Sequence, residues 1–461
     1  MEFQNKLYTN DNLFILNGLN SNLVDLIYLD PPFNSKRMYS APIGSKAAGA
    51  SFKDMWTWKD VNEYYLETLA EKYPALQAYI ALIGLIHSKA MMAYLTYMAQ
   101  RIIELHRILK DTGSLYLHCD PTASHYLKVI LDEIFGEKNF KNEITWKRNE
   151  VWKKYSDTRY DVAADIIFFY TKTDKYTYKP QFIKSTNDPS NSYKKADKYG
   201  RKYREVLITG HKSLGRSSNY YQYKGYTPEY GWTVDIETLT KMDEQGLLVW
   251  RNGVCKNYIK YLDERQERIN NIWIDIISAR GKERTGYPTQ KPLALLHRII
   301  EASSNEDDII LDPFCGCATT CVAAQQLGRK WIGIDIEKQA VDVLIERLSD
   351  DAMMFKDFIN VEKPPQRTDV QIVEPKSIPV RERLYKEQNG LCNGCGVQFE
   401  LRNLETDHII PESKGGGSYY ENYQLLCSSC NKIKGNRPME YLRKKIAVRK
   451  KLLEDKLFFG E

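Results

Sequence analysis

Three short apolar runs in this chain each close on an aspartate, and that repeated ending limits the folds open to it more than any other feature. They are Leu23 to Asp30 (LVDLIYLD), Ile309 to Asp312 (IILD) and Trp331 to Asp335 (WIGID). Runs so short and apolar read as buried strands of a parallel sheet. In open sheets of that kind, ligands meet the carboxyl ends of the strands. The first run stops at Asp30-Pro31-Pro32-Phe33, where prolines break the strand.

The runs are embedded in an alternating pattern. A helical stretch from about Leu85 to Leu109 leads into strand-like Gly113 to His118, a helix over Ser124 to Phe135, strand-like Glu143 to Trp146, and an apolar run at Asp165 to Tyr170. After Pro292 the alternation resumes with helix, strand, glycine turn, helix and strand. It predicts an α/β fold with a doubly wound parallel sheet. Between about Thr171 and Gly281 the periodicity fades while Lys, Arg and Tyr become dense, so this segment reads as an insertion. The expected divisions are 1-170, the insertion 171-281, 282-358, a charged and proline-bearing linker 359-380, and a module 381-461 ending in a basic helix from about Met439 to Lys456.

The chain has 461 residues, 43% of them hydrophobic, enough for two to three domains. No apolar run approaches the ~20 residues needed to cross a bilayer, and no signal peptide is evident, so a soluble cytoplasmic protein is expected. The net charge of +6 permits a polyanionic partner without demonstrating one. Nine cysteines do not form an even disulfide set, and four make two CxxC pairs, Cys392/Cys395 and Cys427/Cys430. Four soft ligands in two knuckles are a tetrahedral zinc environment with no position left for water, hence structural. Cys119, Cys255, Cys315, Cys317 and Cys321 read as buried thiols.

The glycine turn Asp312-Pro313-Phe314-Cys315-Gly316-Cys317-Ala318, followed about 20 positions later by Asp335, suits an adenosine cofactor, with the backbone close to the ligand and the acid on ribose hydroxyls. With Asp30-Pro31-Pro32-Phe33 ahead of it, the arrangement over residues 5 to 350 resembles the β class of DNA amino-methyltransferases, which act on adenine N6 or cytosine N4. That resemblance implies a Rossmann-like sheet with an inserted target-recognition region and S-adenosylmethionine as cofactor. It implies that Phe314 and Gly316 hold the methionine part and Asp335 the ribose, with Asp312 in the same loop. Asp11 and Asn12 match the family's N-terminal acidic motif near the adenine, and Pro288, Gln290 and Lys291 its helix-opening cofactor motif. Trp146, Lys147 and Arg148 match a segment near the target base, and double-stranded DNA is the implied partner. An Asp-led tetrad points to adenine N6 over cytosine N4.

An exocyclic base amine is a poor nucleophile, because its lone pair is delocalised into the ring. Asp30 and the Pro31 carbonyl would accept its two N–H groups, Pro32 would fix the turn, and Phe33 would stack on a base flipped out of the duplex. The insertion's Lys and Arg suit phosphates and its Tyr suits stacking, while a charged insertion with tyrosines in a small local core remains the alternative. The family commonly dimerises, so a homodimer is expected by analogy.

Between the CxxC pairs lie Leu404 to Pro411 (LETDHIIP), a glycine loop and Asn422, with Asn431 directly after Cys430. Residues 381 to 442 resemble the HNH nucleases of the ββα-metal fold. That resemblance implies that His408 activates water, Asn422 orients its imidazole, and Asp407 and Asn431 hold one divalent ion, magnesium by preference. Arg443, Lys444, Lys445, Arg449, Lys450 and Lys451 hold DNA or form a solvated helix face. The whole chain thus resembles a single-chain restriction-modification protein of bacterial or phage origin. Two alternatives stay open: a methyltransferase whose zinc module only binds DNA, and a non-catalytic methylation sensor that controls the nuclease.

Overall fold

The computed structural model describes residues 5–34, 37–40, 45, 51–54, 56–61, 69–70, 72–148, 158, 160, 162–184, 191–214, 217–287, 289–337, 358–371 and 377–448. Pro288 and residues 449–461, including Arg449, Lys450 and Lys451, lie outside them. The residues form two compact units, 180–270 and the remainder.

The larger unit is built on a nine-stranded sheet. In chain order its elements are β1 (Asn5–Thr9), α1 (Asn12–Gly18), β2 (Val24–Leu29), α2 (Pro74–Ile86), α3 (Lys89–Ile108), β3 (Leu109–Cys119), α4 (Ser124–Phe135), β4 (Phe140–Lys147), β5 (Ala164–Thr171), β6 (Ile272–Trp273), α5 (Leu293–Ser303), β7 (Ile309–Asp312), α6 (Thr319–Gln326), β8 (Lys330–Asp335) and β9 (Phe358–Val361). The strand order is β6-β4-β5-β3-β2-β7-β8-β1-β9. From β3 to β9 every pairing is parallel. The chain leaves β2 towards β3 on one side and leaves β7 towards β8 on the other. The crevice at the carboxyl ends of β2 and β7 is therefore the topological switch point, where such sheets bind ligands.

Three expectations are corrected here. The sheet is mixed: β5 runs antiparallel to both β3 and β4, since antiparallel neighbours need no crossover helix. The helical stretch from Leu85 is two helices, because Ser88 caps α3 by accepting from the Met91 N–H, and α2, almost uniformly apolar, carries too little periodicity to announce itself. The linker begins as a strand: β9 extends the sheet beside β1. The chain after β9 is also fastened, with Asn10 donating to the Glu362 carbonyl and Asn20 pairing with Thr368. Among the described residues, no helix is long and apolar enough to cross a membrane.

The smaller unit carries a four-stranded antiparallel sheet, in the order Leu248–Arg251, Val254–Tyr261, Lys202–Leu207 and Lys195–Ala196. Its core is Ile208, Trp232, Leu239, Leu248 and Cys255, with Tyr221, Tyr223 and Tyr226 packed against it. Some of its tyrosines are thus core residues, whereas Tyr199 and Tyr220 are exposed.

The C-terminal module consists of α7 (Ile378–Glu387), the antiparallel hairpin β10 (Leu404–His408) and β11 (Tyr423–Cys427), and α8 (Ser428–Lys434). Residues 439–448 are helical. Leu384, Leu404, Leu425, Leu426 and Leu442 close a small core around Cys392, Cys427 and Cys430. The module rests on α1: Asn17 donates to the Gly415 carbonyl at 2.5 Å, and Leu13 packs on Ile410.

Candidate active sites

At the switch point lies a cavity of about 630 Å³. It gathers Asp30, Pro31, Pro32 and Phe33 after β2, Asp312, Phe314 and Gly316 after β7, Asp335 at the end of β8, Asp11 and Asn12 at the start of α1, and Gln290 and Lys291 before α5. Residues spread over 300 positions meet here because each follows a strand or opens a helix at one edge of the sheet.

The glycine turn closes on two carboxylates. Asp312 accepts from the Phe314 N–H at 3.0 Å and from the Thr320 hydroxyl at 2.5 Å. Asp335 accepts from the Gly316 N–H at 2.8 Å and the Glu337 N–H at 2.9 Å. Burial pushes Asp312 up to about 7 and Asp335 up to about 6. Gly316 is left-handed (φ 51), and a Cβ there would stand 3.0 Å from the Tyr287 ring. Ala318 is also left-handed (φ 54), a conformation that costs an L-residue ~1–2 kcal/mol.

Asp11 caps α1 by accepting from the Leu13 N–H and pairs at 2.9 Å with Arg101, a nearly fully buried residue that the sequence reading missed. Arg101 also donates to Asn12 at 2.6 Å and lies over the Tyr97 ring. Asn12 donates to the Pro313 carbonyl at 2.7 Å. Asn12 thus ties α1 to the glycine turn at the wall of the cavity, beside the partly exposed Asp11. Gln290 braces its own loop, accepting from Thr285 and donating to the Glu283 carbonyl.

Lys291 was expected at the cofactor, but its ammonium pairs with Asp30 Oδ2. The other carboxylate oxygen, Asp30 Oδ1, is buried and has no hydrogen-bond partner. Behind it stands His118, with Nδ1 at 3.9 Å from that oxygen. The Phe33 and His118 rings lie 5.8 Å apart, tilted by 30°. Trp146, expected beside DNA, is instead a core residue: it is buried, donates to the Ile276 carbonyl and packs edge-on to His118. A flat apolar side chain between two strands lowers the free energy more by burial than by exposure to solvent. Lys147 is exposed, and Arg148 pairs with Asp165 at 3.3 Å.

In the C-terminal module the sulfurs of Cys392, Cys395, Cys427 and Cys430 lie within 4.8 Å of one another. Tetrahedral zinc with ~2.3 Å bonds needs sulfurs about 4 Å apart, so the set fits a zinc ion. His408 is three-quarters buried, with Nε2 at 3.5 Å from Ser418 Oγ and 3.7 Å from Glu412, and its ring packs on Tyr423. Asn422 does not orient that ring. Its amide accepts from the Ile410 N–H and donates to the Ile410 and Gly417 carbonyls, holding the loop's main chain. The magnesium expectation at Asp407 and Asn431 does not fit either. Asp407 is held at 2.8 Å by the fully buried Lys434 and at 2.9 Å by Gln424, and Asn431 donates to Glu405. A divalent ion at Asp407 would have to compete with an ammonium already in place.

A family model described as DNA methylase matches residues 24–346, and one described as HNH endonuclease matches residues 392–437. The chain is 31% identical over 274 residues to the type II methyltransferase M.EcaI of Enterobacter cloacae, covering 58% of this chain and 60% of that one. It is 28% identical over 352 residues to the StyLTI Mod subunit, a type III restriction-modification enzyme of Salmonella typhimurium, covering 71% and 50%. It is 26% identical over 267 residues to the DNA adenine methyltransferase YhdJ of Escherichia coli, covering 58% and 70%. The chain therefore spans half to 60% of the length of the first two relatives.

Proposed function

We propose, from a chain that belongs to the DNA methylase family and carries an HNH segment near its C-terminus, that it methylates an exocyclic amine of DNA, adenine N6 in preference to cytosine N4. One observation carries the reading. With Lys291 on Asp30 Oδ2, the other oxygen is buried and unpartnered in the same cavity as the glycine turn. An unpaired buried carboxylate oxygen is costly unless a donor arrives, and an amine N–H is such a donor. Phe33 supplies a ring face, and Pro31 a carbonyl at the turn.

The cavity also suits S-adenosylmethionine. Its volume matches a nucleoside-sized ligand, the Gly316 turn lets the backbone approach, and Asp335 keeps lone pairs for ribose hydroxyls. Phe314 and Gly316 would hold the methionine part, and Asp11 would face the adenine. When bound, the cofactor supplies an electrophilic methyl group. Lys291 fixes the Asp30 carboxylate so that its free oxygen, not a rotating pair, meets the amine. The Asp-led tetrad and the name of the E. coli relative favour adenine. Incubation with unmethylated plasmid DNA and labelled S-adenosylmethionine, followed by nucleoside analysis, should give N6-methyladenine, and Asp30→Ala should abolish it. Label on N4-methylcytosine, or none on DNA, would refute the respective claim.

The module is proposed to cut DNA through His408 while four cysteines hold structural zinc, giving a single-chain restriction-modification protein of a bacterial cytoplasm. Breaks in the same plasmid, scored with and without magnesium and lost in His408→Ala, test this. Exposed Lys194, Lys198, Lys202 and Lys256 on the 180–270 unit are proposed to meet the DNA backbone. A homodimer is proposed through α2, which exposes Leu82, Leu85 and Ile86; light scattering reads its mass.

A further inference from the structure

The interior of the sheet holds a buried histidine–carboxylate hydrogen bond that none of the motifs requires. His118 sits in the apolar strand β3 with no exposed surface, and Asp165 on the neighbouring β5 is almost as buried. Their contact is 3.1 Å, from His118 Nε2 to Asp165 Oδ2. On the ring's other side, His118 Nδ1 meets the Tyr28 hydroxyl of β2 at 2.9 Å and faces Asp30 Oδ1 at 3.9 Å. Asp165 of β5, His118 of β3 and Asp30, the residue after β2, thus form a chain of neighbours that ends at the orphaned carboxylate oxygen. Burying an imidazole and a carboxylate together is costly unless both are satisfied, and an apolar pair would stabilise the sheet at least as well.

We infer that His118 is a proton-relay residue for methyl transfer: it receives, through Asp30, the proton that the target amine must lose, and Asp165 supports the charge it gains. The inference rests on the amine-methylation reading above. As the amine nitrogen bonds to the methyl carbon, the carbon–sulfur bond breaks and its electron pair stays on sulfur. Nitrogen is left positive with one surplus proton. That proton passes to Asp30 Oδ1, and from there to His118 Nδ1; the imidazolium returns it through Asp30 to water after the methylated base has left the cavity.

The surroundings fit each part. The anionic partner on Nε2 holds the tautomer whose Nδ1 carries the lone pair. Burial pushes Asp165 up, but the hydrogen bond and charge of His118, with Arg148 and Lys291, leave it below the usual carboxylate range. Burial and the charges of Asp30, Asp312 and Asp165 push the Tyr28 hydroxyl far up, so it stays protonated and can turn from donor to acceptor when Nδ1 gains its proton. The charged or titratable groups facing the ring are therefore Tyr28 and Asp30 from β2, Asp165 from β5, Arg148 beyond β4, and Lys291 through Asp30. Phe33 and Trp146 close the remaining faces with apolar rings.

The test uses the full chain, unmethylated plasmid DNA, tritiated S-adenosylmethionine and single-turnover rates over a pH series. The relay accepts only when His118 is neutral, so the wild-type rate falls on the acid side. His118→Gln should lower the rate about 10²-fold and flatten that limb, with cofactor affinity and melting temperature retained. Asp165→Asn, which withdraws support from the imidazolium, should move the limb to lower pH. A second readout needs no turnover: of the seven histidine ring signals in the NMR spectrum, the one missing in His118→Gln should shift its titration in Asp30→Asn. A wild-type rate in His118→Gln, an equal loss at every pH, or a His118 signal indifferent to Asp30→Asn would overturn the relay and leave Asp30-dependent methylation standing. Absence of any methyl transfer by the wild-type chain would overturn the methylation reading itself, and the relay with it.

Discussion

Asp312 offers the sharpest test of how this cavity is built. Its carboxyl is buried at the end of a central strand, beside Asp30 and Asp335, and its pKa is raised to about 7. Burial is the main cause; the Thr320 and Phe314 donors oppose it only in part. In the unfolded chain the same group titrates near 3.8. A raised folded pKa means that the folded state binds a proton the unfolded state has lost. Stability is then fully present below the unfolded value and falls as pH rises towards the folded value. Between about pH 5 and pH 7 the loss is two pH units at ~1.4 kcal/mol each, ~3 kcal/mol in all. Asp312→Asn keeps the shape, offers Oδ1 to the Phe314 N–H and can pair with the Thr320 hydroxyl, yet carries no charge. The melting temperature of the variant relative to wild type, without cofactor, should therefore rise between about pH 5 and pH 8 by roughly 3–4 °C, while methyl transfer falls. If the difference between variant and wild type stayed constant over that range, the charge would not be the source of the strain.

Three further outcomes follow from single positions. Ala318→Gly should stabilise the protein by about 0.5–1 kcal/mol, read as a higher melting temperature, because glycine adopts the left-handed turn without the Cβ clash and loses part of that gain to unfolded-state entropy. Removing zinc with a strong chelator, or Cys427→Ser, should expose residues 378–448 to protease while residues 5–337 stay resistant and methyl transfer persists; metal analysis should find one zinc per untreated chain. Gly415→Ala should loosen the C-terminal module from α1, since its φ is 82° and a Cβ would stand 2.7 Å from the Phe14 carbonyl oxygen. Calorimetry should then resolve a separate module transition, and an unchanged single profile would refute the docking.

How much of this was legible beforehand depended on whether a residue acts through its neighbours in the chain or across it. The strand ends were legible because a run such as WIGID announces both its burial and its last acid. The zinc knuckles were legible because two CxxC pairs have few other uses. His118 was not: within Ser114-Leu115-Tyr116-Leu117-His118 it reads as one polar residue in an apolar strand, and its meaning comes from Asp165 and Asp30 on adjacent strands. A buried ionisable residue in an apolar run was the available signal, and Asp165 at the head of Asp165 to Tyr170 gave the same one. Arg101 and Lys434 were missed for a related reason, as each looks like an ordinary basic residue of a helix yet is buried against an acid, Asp11 and Asp407 respectively. Trp146 and Asn422 were misread because a motif specifies a position and not the direction of its side chain.

Helix α1 is where the two parts of the larger unit constrain each other. Its first turn carries Asp11 and Asn12 into the cofactor cavity, and its later residues Phe14 and Asn17 seat the loop that follows His408. Contact of this kind does not by itself make one site control the other, because coupling requires an element with two states that both sites bias. Here α1 is fastened at both ends: Asn12 to Pro313, Asp11 to Arg101, and the Leu16 and Leu19 carbonyls to Arg107. A helix so held transmits position and not choice. It seats the loop after His408 on a helix fastened at both ends, so under the proposed function a dependence of cutting on methylation would come through the DNA rather than through α1.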